Sequence, residues 1–364
     1  MNRMRFLKDP KFYLGLFVSA FFLFIAFFKV SFSPLAVTAK IDFSQMGRAI
    51  VTAEPLYLAV IMAQVLGMLF IRGHRWTLFL KPIKKTNWIS LGWSTCIGFA
   101  VNNLLPARLG EVARSISAGR KEGIGFGAVF GSVVVERIYD TLSILVLFVL
   151  SLFVWEFSGP MERLAAATKS EFGVEISQQS IALNLSLLVG LILAAIVFLK
   201  WKTDFSLRVA RFFLTPLPVA WRDKIINGLR NFINGLTQTK NPLEAAWVVV
   251  LSASIWVISA LTVWLGLAAC HVEASLTDAI FVLMTMVVAV SVPASPGYIG
   301  TYHYLCATGI VLSTDTGWDQ AMGTAIVIHL SNYLPQTLAG LYALAREGLS
   351  LREIEEKPAE NESV

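Results

Sequence analysis

The stretch NNLLPARLGEVAR, Asn102–Arg114, follows an apolar run, Trp88–Val101, that contains no charged residue. It brings two asparagines, a proline, two arginines and a glutamate together within thirteen residues. Proline lacks a backbone N–H and disfavours helix at the residue before it, so the apolar helix should end near Pro106. The fold therefore depends on whether the chain has crossed a membrane at this point or turns back.

Composition places the chain in a membrane. Of its 364 residues, 56% are hydrophobic and 15% are charged, which is outside the range of soluble domains. No cleavage site follows the first apolar run, Phe12–Phe28, so we interpret it as a retained helix. The three cysteines lack metal-binding spacing and are expected to be buried apolar side chains. The net charge of +6 indicates basic loops at anionic headgroups rather than nucleic-acid binding.

Eight apolar runs divide the chain. Six are long enough to cross about 30 Å of hydrocarbon, near 12–30, 54–71, 133–155, 180–199, 244–269 and 320–344. Two others are interrupted: Trp88–Leu105 stops at Pro106, and Leu276–Val292 stops in PASPGYIG, Pro293–Gly300. We expect a helix, a break and a second helix in both places.

Lysine and arginine counts predict that the first break is the tip of a hairpin. Five segments hold three to eight such residues each: 1–11, 72–87, 106–123, 200–243 and 345–364. The other segments between runs hold none to three. Basic loops are usually cytoplasmic, and all five lie on one side only if the chain turns near Pro106 and returns by about residue 120. Both termini are then cytoplasmic, in a multi-pass protein of the cell membrane.

The two halves of the chain follow the same pattern of span, span, hairpin and span. Their tips read PARLG at 106–110 and PGYIG at 296–300. Three crossings per half would invert the second copy relative to the first, as in secondary transporters. The expected fold is an all-α membrane bundle with about six full spans and two broken re-entrant hairpins that meet near the midplane. The transmembrane domain covers 1–345, in halves of about 10–157 and 178–345.

An anion site is predicted where the two tips converge. If the returning half-helices start at Pro106 and Pro296, their free N–H groups point at the tip, and Arg108 adds a positive charge. Charged residues within hydrocarbon are costly and usually have a role. The candidate substrate-binding residues are Asn102, Asn103, Pro106, Arg108, Gly110, Glu111, Arg114, Glu136, Arg137, Asp140, Pro296, Gly297, Gly300, His303, His329 and Asn332.

Structural interpretations of the same residues remain open. Arg108, Glu111 and Arg114 recur every three residues, and this ladder on one helix face could simply stabilise the hairpin. Glu136 and Arg137 could lie at the cytoplasmic interface. Asp140 lies one turn beyond Glu136, and that carboxylate pair could be scaffold or could exchange protons. His303 and His329 could be hydrogen-bonded core histidines.

Two segments lie outside the bundle. Apolar residues at helical spacing with interleaved arginine and lysine predict an amphipathic cytoplasmic segment at about 203–238. The tail at 346–364 is polar and acidic. The sequence has no P-loop, which argues against direct use of ATP, and it predicts no cofactor or metal.

The motifs together resemble the flippase-like family, the integral-membrane domain of lysylphosphatidylglycerol synthases and their stand-alone relatives. The resemblance rests on Asn-x-x-x-Pro-x-Arg-x-Gly-Glu-x-x-Arg from Asn102 to Arg114, on Glu136-Arg137-x-x-Asp140 and on Pro296-Gly297-x-x-Gly300, and it spans about 10–345. It implies movement of a phospholipid or a polyprenyl-linked glycan between leaflets. Many relatives carry glutamate where this chain has His303. Within these 364 residues we expect no soluble aminoacyl-transferase domain like that of the synthases.

The expected function is translocation of a lipid with an anionic headgroup, without an enzymatic step. Arg108, Arg114 and the half-helix N-termini would hold the headgroup, with Glu111, Glu136 and Asp140 orienting the arginines. Two alternatives use the same electrostatics: a membrane phosphatase of polyprenyl pyrophosphate, and an ion-coupled carrier of a small anion.

Overall fold

The computed structural model describes residues 10–32, 35–105, 109–154, 158–172, 177–215, 218–219, 222–223, 226, 242–292 and 295–349. The first half contains α1 (Pro10–Phe27), β1 (Phe28–Phe32), β2 (Leu35–Ala39), α2 (Phe43–Val51), α3 (Pro55–Leu80), α4 (Trp88–Leu104), α5 (Gly110–Glu122), α6 (Phe126–Val154) and α7 (Ser158–Phe172). The second half contains α8 (Gln178–Trp201), α9 (Thr203–Phe213), α10 (Pro242–Ala269), α11 (Leu276–Ser291), a 3₁₀ turn (Pro296–Tyr298), α12 (Thr301–Ser313) and α13 (Trp318–Glu347).

Each of the six long apolar runs forms a helix: α1, α3, α6, α8, α10 and α13. In the described part of the chain, α3 and α10 are long and apolar enough to cross a membrane by composition alone. The helix α6 carries Glu136, Arg137 and Asp140, so its interior position depends on ion pairs described below. The architecture is that of a helical membrane protein, in agreement with the sequence.

Two boundaries differ from the sequence expectation. The helix α1 ends at Phe27, and the chain continues as a two-stranded antiparallel hairpin in which Phe28 pairs with Ala39. From the sequence, those residues are expected in the first span and the loop after it. The helix α3 continues to Leu80 rather than stopping near residue 71. Its last turns are stabilised by burial of Trp76, Phe79 and Leu80.

The first interrupted run is a helical hairpin. Leu105 has the extended conformation expected before a proline (φ −111°, ψ 148°). At the far end of the arms, the Lys84 Nζ donates to the Glu122 carbonyl oxygen at 2.5 Å, so α4 begins next to where α5 ends. Close contact of the arms requires glycine, because a Cβ at Gly110 would overlap the carbonyl oxygen of Gly98.

The second interrupted run is also a hairpin, formed by α11 and α12, with Gly309 packed against Val282 and Thr285. The helix α13 packs along α4, where Gly340 lies against Cys96 and Ala100. The helices α6 and α11 make little contact with each other. A cavity lies in the space between them.

The amphipathic segment predicted at about 203–238 is described in part. Its beginning forms α9, Thr203–Phe213, with Leu207 buried and Phe212 and Phe213 exposed. Most of the remainder, and the tail beyond Leu349, lie outside the described residues.

Candidate functional site

A cavity of about 440 Å³ lies between the two hairpins and is enclosed by α3, α6, α10 and α13. Both halves of the chain contribute to its walls, as the sequence predicted for a central site. The predicted site residues that line it are Asn102, Asn103, Gly110, Glu111, Arg114, Arg137, Asp140, His329 and Asn332. Its wall also contains Tyr333 and Gln336, which follow His329 along α13.

The other predicted residues lie around this cavity or outside the described structure. Glu136 is fully buried behind the arginines of the wall. Pro296, Gly297 and Gly300 form the tip of the second hairpin, and His303 contacts His329 from behind. Pro106 and Arg108 lie outside the described residues, so the placement of Arg108 at the headgroup stays a prediction.

A buried ion-pair network forms one wall of the cavity. Glu136 contacts Arg75 (Oε1 to Nη2, 3.1 Å) and Arg114 (Oε2 to Nη1, 3.1 Å). Asp140 contacts Arg75 (Oδ1 to Nη1, 2.6 Å) and Arg72 (Oδ2 to Nη1, 3.1 Å). Arg137 stands farther from the same carboxylates, at 3.7 and 3.8 Å. The two carboxylates therefore join α3, α5 and α6.

Arg72 and Arg75 were not among the predicted site residues. Their position directly after the apolar run at 54–71 predicts a basic cytoplasmic loop instead. Their spacing of three residues, together with the apolar residues Trp76, Phe79 and Leu80 after them, was the available signal for a continuing helix. In the structure, Arg75 is fully buried and Arg72 nearly so.

The network has more positive than negative charge. Four guanidinium groups face the carboxylates of Glu136 and Asp140, a net charge of about +2, which Glu111 at the cavity wall reduces to about +1. Donors also exceed acceptors. Both Nη atoms of Arg114 are buried, and neither makes a hydrogen bond of good geometry among the described residues. Nη1 is held in the ion pair with Glu136, so Nη2 is the donor that is left open. A buried guanidinium with unused donors at a cavity wall is a site for an anionic oxygen.

Arg114 pairs with a residue of another helix rather than with Glu111. Its ion-pair partner is Glu136 on α6, and its guanidinium lies 4.9 Å from the ring centroid of Trp76. Glu111 instead accepts a long hydrogen bond from the Asn102 Nδ2 (3.5 Å). Pairing across helices is favoured here because the carboxylate of Glu136 is buried and needs a cationic partner.

At the first tip, an asparagine side chain caps the first N–H group of α5. The helix α5 starts at Gly110, not at Pro106, and the Gly110 N–H donates to the Asn102 Oδ1 at 2.8 Å. The prediction that a proline begins this half-helix is therefore wrong, because the helix starts at Gly110. Its first N–H group is capped by Asn102 rather than left open.

The two tips touch each other inside the bundle. The Tyr333 hydroxyl donates to the Asn103 carbonyl oxygen (3.3 Å), and the Asn103 Nδ2 donates to the Thr337 Oγ1 (2.9 Å). Gly297 has φ 69°, and a Cβ there would come within 2.8 Å of the Tyr333 ring and 3.4 Å of the Asn103 carbonyl oxygen. A glycine is required at this contact by both conformation and space.

Behind the second tip, two histidines contact each other. The His303 Nε2 and the His329 Nδ1 are 3.0 Å apart, and the Gly300 N–H points at the His303 Nδ1 at 3.5 Å. The ring of Tyr302 lies 4.5 Å from that of His329. Pro296 begins the 3₁₀ turn as expected, but α12 itself starts at Thr301. Its first N–H groups are again partly capped by a side chain.

Exposed side chains border the cavity between α6 and α11. Thr141 and Ser291, which line it from these two helices, are both exposed, and the neighbouring Val288 is 56% exposed. The α11 wall of the cavity is apolar, with Leu283, Met286, Val287 and Val290 facing the arginines across the space. The site therefore has one cationic wall and one apolar wall.

Comparison with known proteins gives two matches. Residues 12–340 match the family model described as the lysylphosphatidylglycerol synthase TM region. A membrane protein of the UPF0104 group from Methanocaldococcus jannaschii is 26% identical over 242 residues, which is 64% of this chain and 67% of that protein. No solved structure matches the chain at a comparable level of significance.

Proposed function

The chain belongs to the family of the lysylphosphatidylglycerol synthase TM region, matched over residues 12–340, and we propose that it moves a lipid with an anionic headgroup between the leaflets of the cytoplasmic membrane. The observation that carries this proposal is the cationic cavity. Arg72, Arg114 and Arg137 face a space bounded by both hairpins, and the network behind them has excess positive charge.

The arginines supply the headgroup contacts. A phosphate oxygen that reaches the cavity satisfies the open Nη2 donor of Arg114, and a charge-assisted hydrogen bond of this kind contributes about 1.5–3 kcal/mol. Arg137 is the most accessible of the four, because its side chain is 42% exposed and its ion pairs are the longest. It is therefore the first guanidinium that an arriving headgroup meets.

The hydrocarbon tails remain in the bilayer during transfer. The opening between α6 and α11 has exposed Thr141 and Ser291 at its edges, and it leads from the cationic wall past apolar side chains. This arrangement suits a molecule with one charged and one apolar end. It also distinguishes a lipid from a small soluble anion, which has no apolar part to place against Leu283 and Val287.

The size of the cavity limits the headgroup. A volume of about 440 Å³ holds roughly fifteen water molecules at about 30 Å³ each. A phosphate with a glycerol, an amino acid or one sugar fits this space, whereas a longer glycan must stay outside it. The substrate class that fits is a phospholipid or a polyprenyl phosphate with a small head.

In the proposed architecture the two halves form an inverted repeat and the hairpins are re-entrant. The contacts of Asn103 with Tyr333 and Gly297 support tips that meet within the bundle. Both second arms begin at the last glycine of the repeated tip pattern, Gly110 and Gly300, or one residue beyond. Translocation then consists of exposing the cavity to one leaflet and then to the other.

The surroundings of the hydroxyl groups near the second tip argue against phosphate hydrolysis and therefore favour transport. The Ser295 Oγ lies near the carbonyl oxygens of Pro296 and Ile299, and the Thr301 Oγ1 donates to the Tyr298 carbonyl oxygen at 3.1 Å. Neither hydroxyl has a neighbouring base among its described partners that would activate it as a nucleophile.

The proposal is tested by lipid binding to the protein in nanodiscs. Native mass spectrometry compares retention of phosphatidylglycerol and of zwitterionic phosphatidylcholine, with Arg137→Gln as the site variant and Arg163→Gln as the control. Arg163 is exposed and pairs with Asp315 away from the cavity. We expect Arg137→Gln to weaken phosphatidylglycerol binding about 10- to 150-fold. Equal binding of both lipids, or equal binding by both variants, would contradict the proposal.

A further inference from the structure

A chain of hydrogen-bonding groups ties the tip of the second hairpin to α13 through two histidines. The Gly300 N–H points at the His303 Nδ1 (3.5 Å), and the His303 Nε2 is 3.0 Å from the His329 Nδ1. The His329 ring also meets the backbone of Gly297. His329 is 8% exposed and lines the cavity, so the chain connects the tip to the proposed headgroup site.

The donors fix the tautomer of each ring. A backbone N–H can only donate, so the His303 Nδ1 accepts and the proton of the neutral ring resides on Nε2. That proton is donated to the His329 Nδ1, and the proton of His329 is therefore on its own Nε2, toward the Gly297 backbone. Every hydrogen bond from Gly300 through His303 to His329 and Gly297 therefore points in the same direction, with both histidine rings neutral.

Neither ring can bind a second proton without losing one of these hydrogen bonds. Both Nδ1 atoms already accept a hydrogen bond, and protonation of either one would set two N–H groups against each other. Protonation of the His329 Nδ1 separates the two rings, and protonation of the His303 Nδ1 releases Gly300. Either event loosens the tip, whose contacts with Tyr333 and Asn103 complete the cavity.

We propose that His303 and His329 form a proton-binding site that holds the second hairpin while neutral and releases it when protonated. This inference rests on the proposed function in one respect, because release of the tip would couple translocation of the headgroup to proton movement. Glu136 and Asp140 do not serve this role, since each is held by at least two arginines.

The surroundings of the pair are uncharged on the near side and cationic across the cavity. On the near side, α11 contributes apolar, serine and threonine side chains, α1 contributes Ser19 near the tip, and the closest titratable groups are tyrosines. The titratable and charged groups that face the pair are Tyr298, Tyr302, Tyr333, Arg72, Arg114, Arg137, Glu111 and Asp140. An anionic headgroup bound in the cavity favours the cationic form of the pair. Proton and anion therefore bind cooperatively.

Nuclear magnetic resonance of protein labelled with ¹⁵N-histidine, in nanodiscs without added substrate, tests the site directly. The chain has four histidines, and the exposed His271 is an internal reference. At pH 8 we expect two buried rings, both with the proton on Nε2. Between pH 8 and 5 one ring of the pair should become cationic, because a second positive charge 3.0 Å away is opposed by the first. Rings that stay neutral at pH 5 would overturn the inference.

Hydrogen exchange of the tip, residues 295–302, measures the release. After correction for the chemical rate, exchange relative to α10 should rise at least about tenfold from pH 8 to pH 5. His329→Asn retains an acceptor near the Nδ1 position and cannot take a proton, so its tip should exchange independently of pH. His271→Asn is the control and should behave as wild type. The same pH response in His329→Asn would overturn the inference. Neither measurement requires a transported lipid, so failure here is separate from failure of the proposed function.

Discussion

Replacing Glu136 by glutamine tests whether the buried network is a scaffold. The side chain keeps its shape and loses its charge, and its environment makes that loss costly. Glu136 is fully buried and contacts Arg75 and Arg114 at 3.1 Å each, with Arg137 at 3.7 Å. The substitution raises the net charge of the buried network from about +2 to about +3.

The magnitude follows from removing one partner of a buried ion pair, which costs about 3–5 kcal/mol. The amide oxygen of glutamine still accepts a hydrogen bond, so we expect the lower end, about 3 kcal/mol. That corresponds to a decrease in the unfolding midpoint of roughly 5–10 °C for a chain of this size. Glu244→Gln removes the partner of Lys81 at a partly exposed pair and should cost about 1 kcal/mol or less.

The assay is thermal unfolding of the detergent-solubilised protein at a fixed heating rate, because membrane proteins commonly unfold irreversibly. Combining Glu136→Gln with Arg75→Gln should cost less than the sum of the two single changes, by about 0.5–3 kcal/mol. An unfolding midpoint for Glu136→Gln equal to that of Glu244→Gln would refute the scaffold interpretation.

Three further outcomes are expected. Gly110→Ala should destabilise the first hairpin and lower the unfolding midpoint by several degrees, because its Cβ overlaps a backbone carbonyl, whereas Gly131→Ala, which meets nothing within 4 Å, should be neutral or slightly stabilising. Cysteines introduced at Lys84 and Arg120 should both be labelled by an impermeant reagent from the cytoplasmic side, and labelling from opposite sides would end the re-entrant model. Ser291→Trp at the lateral opening should slow lipid transfer in vesicles and leave the unfolding midpoint unchanged, and unchanged transfer would place the tails elsewhere.

The sequence predicted the helical architecture because helices that cross a membrane require long runs of apolar residues, which can be read directly from the sequence. Each long apolar run became a helix, and the family suggested by the motifs around Asn102 and Glu136 is confirmed by the match over residues 12–340. The break before Pro106 was also predictable, since the restriction on Leu105 is local. Local rules suffice for these features.

The network was harder to predict because its stability depends on partners far apart in the chain. Arg75 and Glu136 are separated by 61 residues, and the residues near Arg75 in the sequence do not indicate which carboxylate pairs with it. A basic residue after an apolar run is usually a loop residue at the membrane surface. Only the tertiary pairing of α3 with α6 makes burial of Arg72 and Arg75 favourable.

The caps at the tips were missed for a similar reason. Sequence position suggested that prolines begin the returning helices with open N–H groups, whereas Asn102 reaches across the loop to the Gly110 N–H at 2.8 Å. The contact of His303 with His329 spans 26 residues and two helices, so spacing alone gave no sign of it. Polar side chains that cap distant groups become evident only when the backbone is folded.

Lipid transfer in reconstituted vesicles tests the central claim most directly. Fluorescent lipids with the same tails and either an anionic or a zwitterionic headgroup are incorporated, and their accessibility to a membrane-impermeant reductant is followed over time. The account predicts faster transfer of the anionic lipid by wild type and by Arg163→Gln, and at least about tenfold slower transfer by Arg137→Gln. Equal transfer of both lipids, or wild-type transfer by Arg137→Gln, would contradict it.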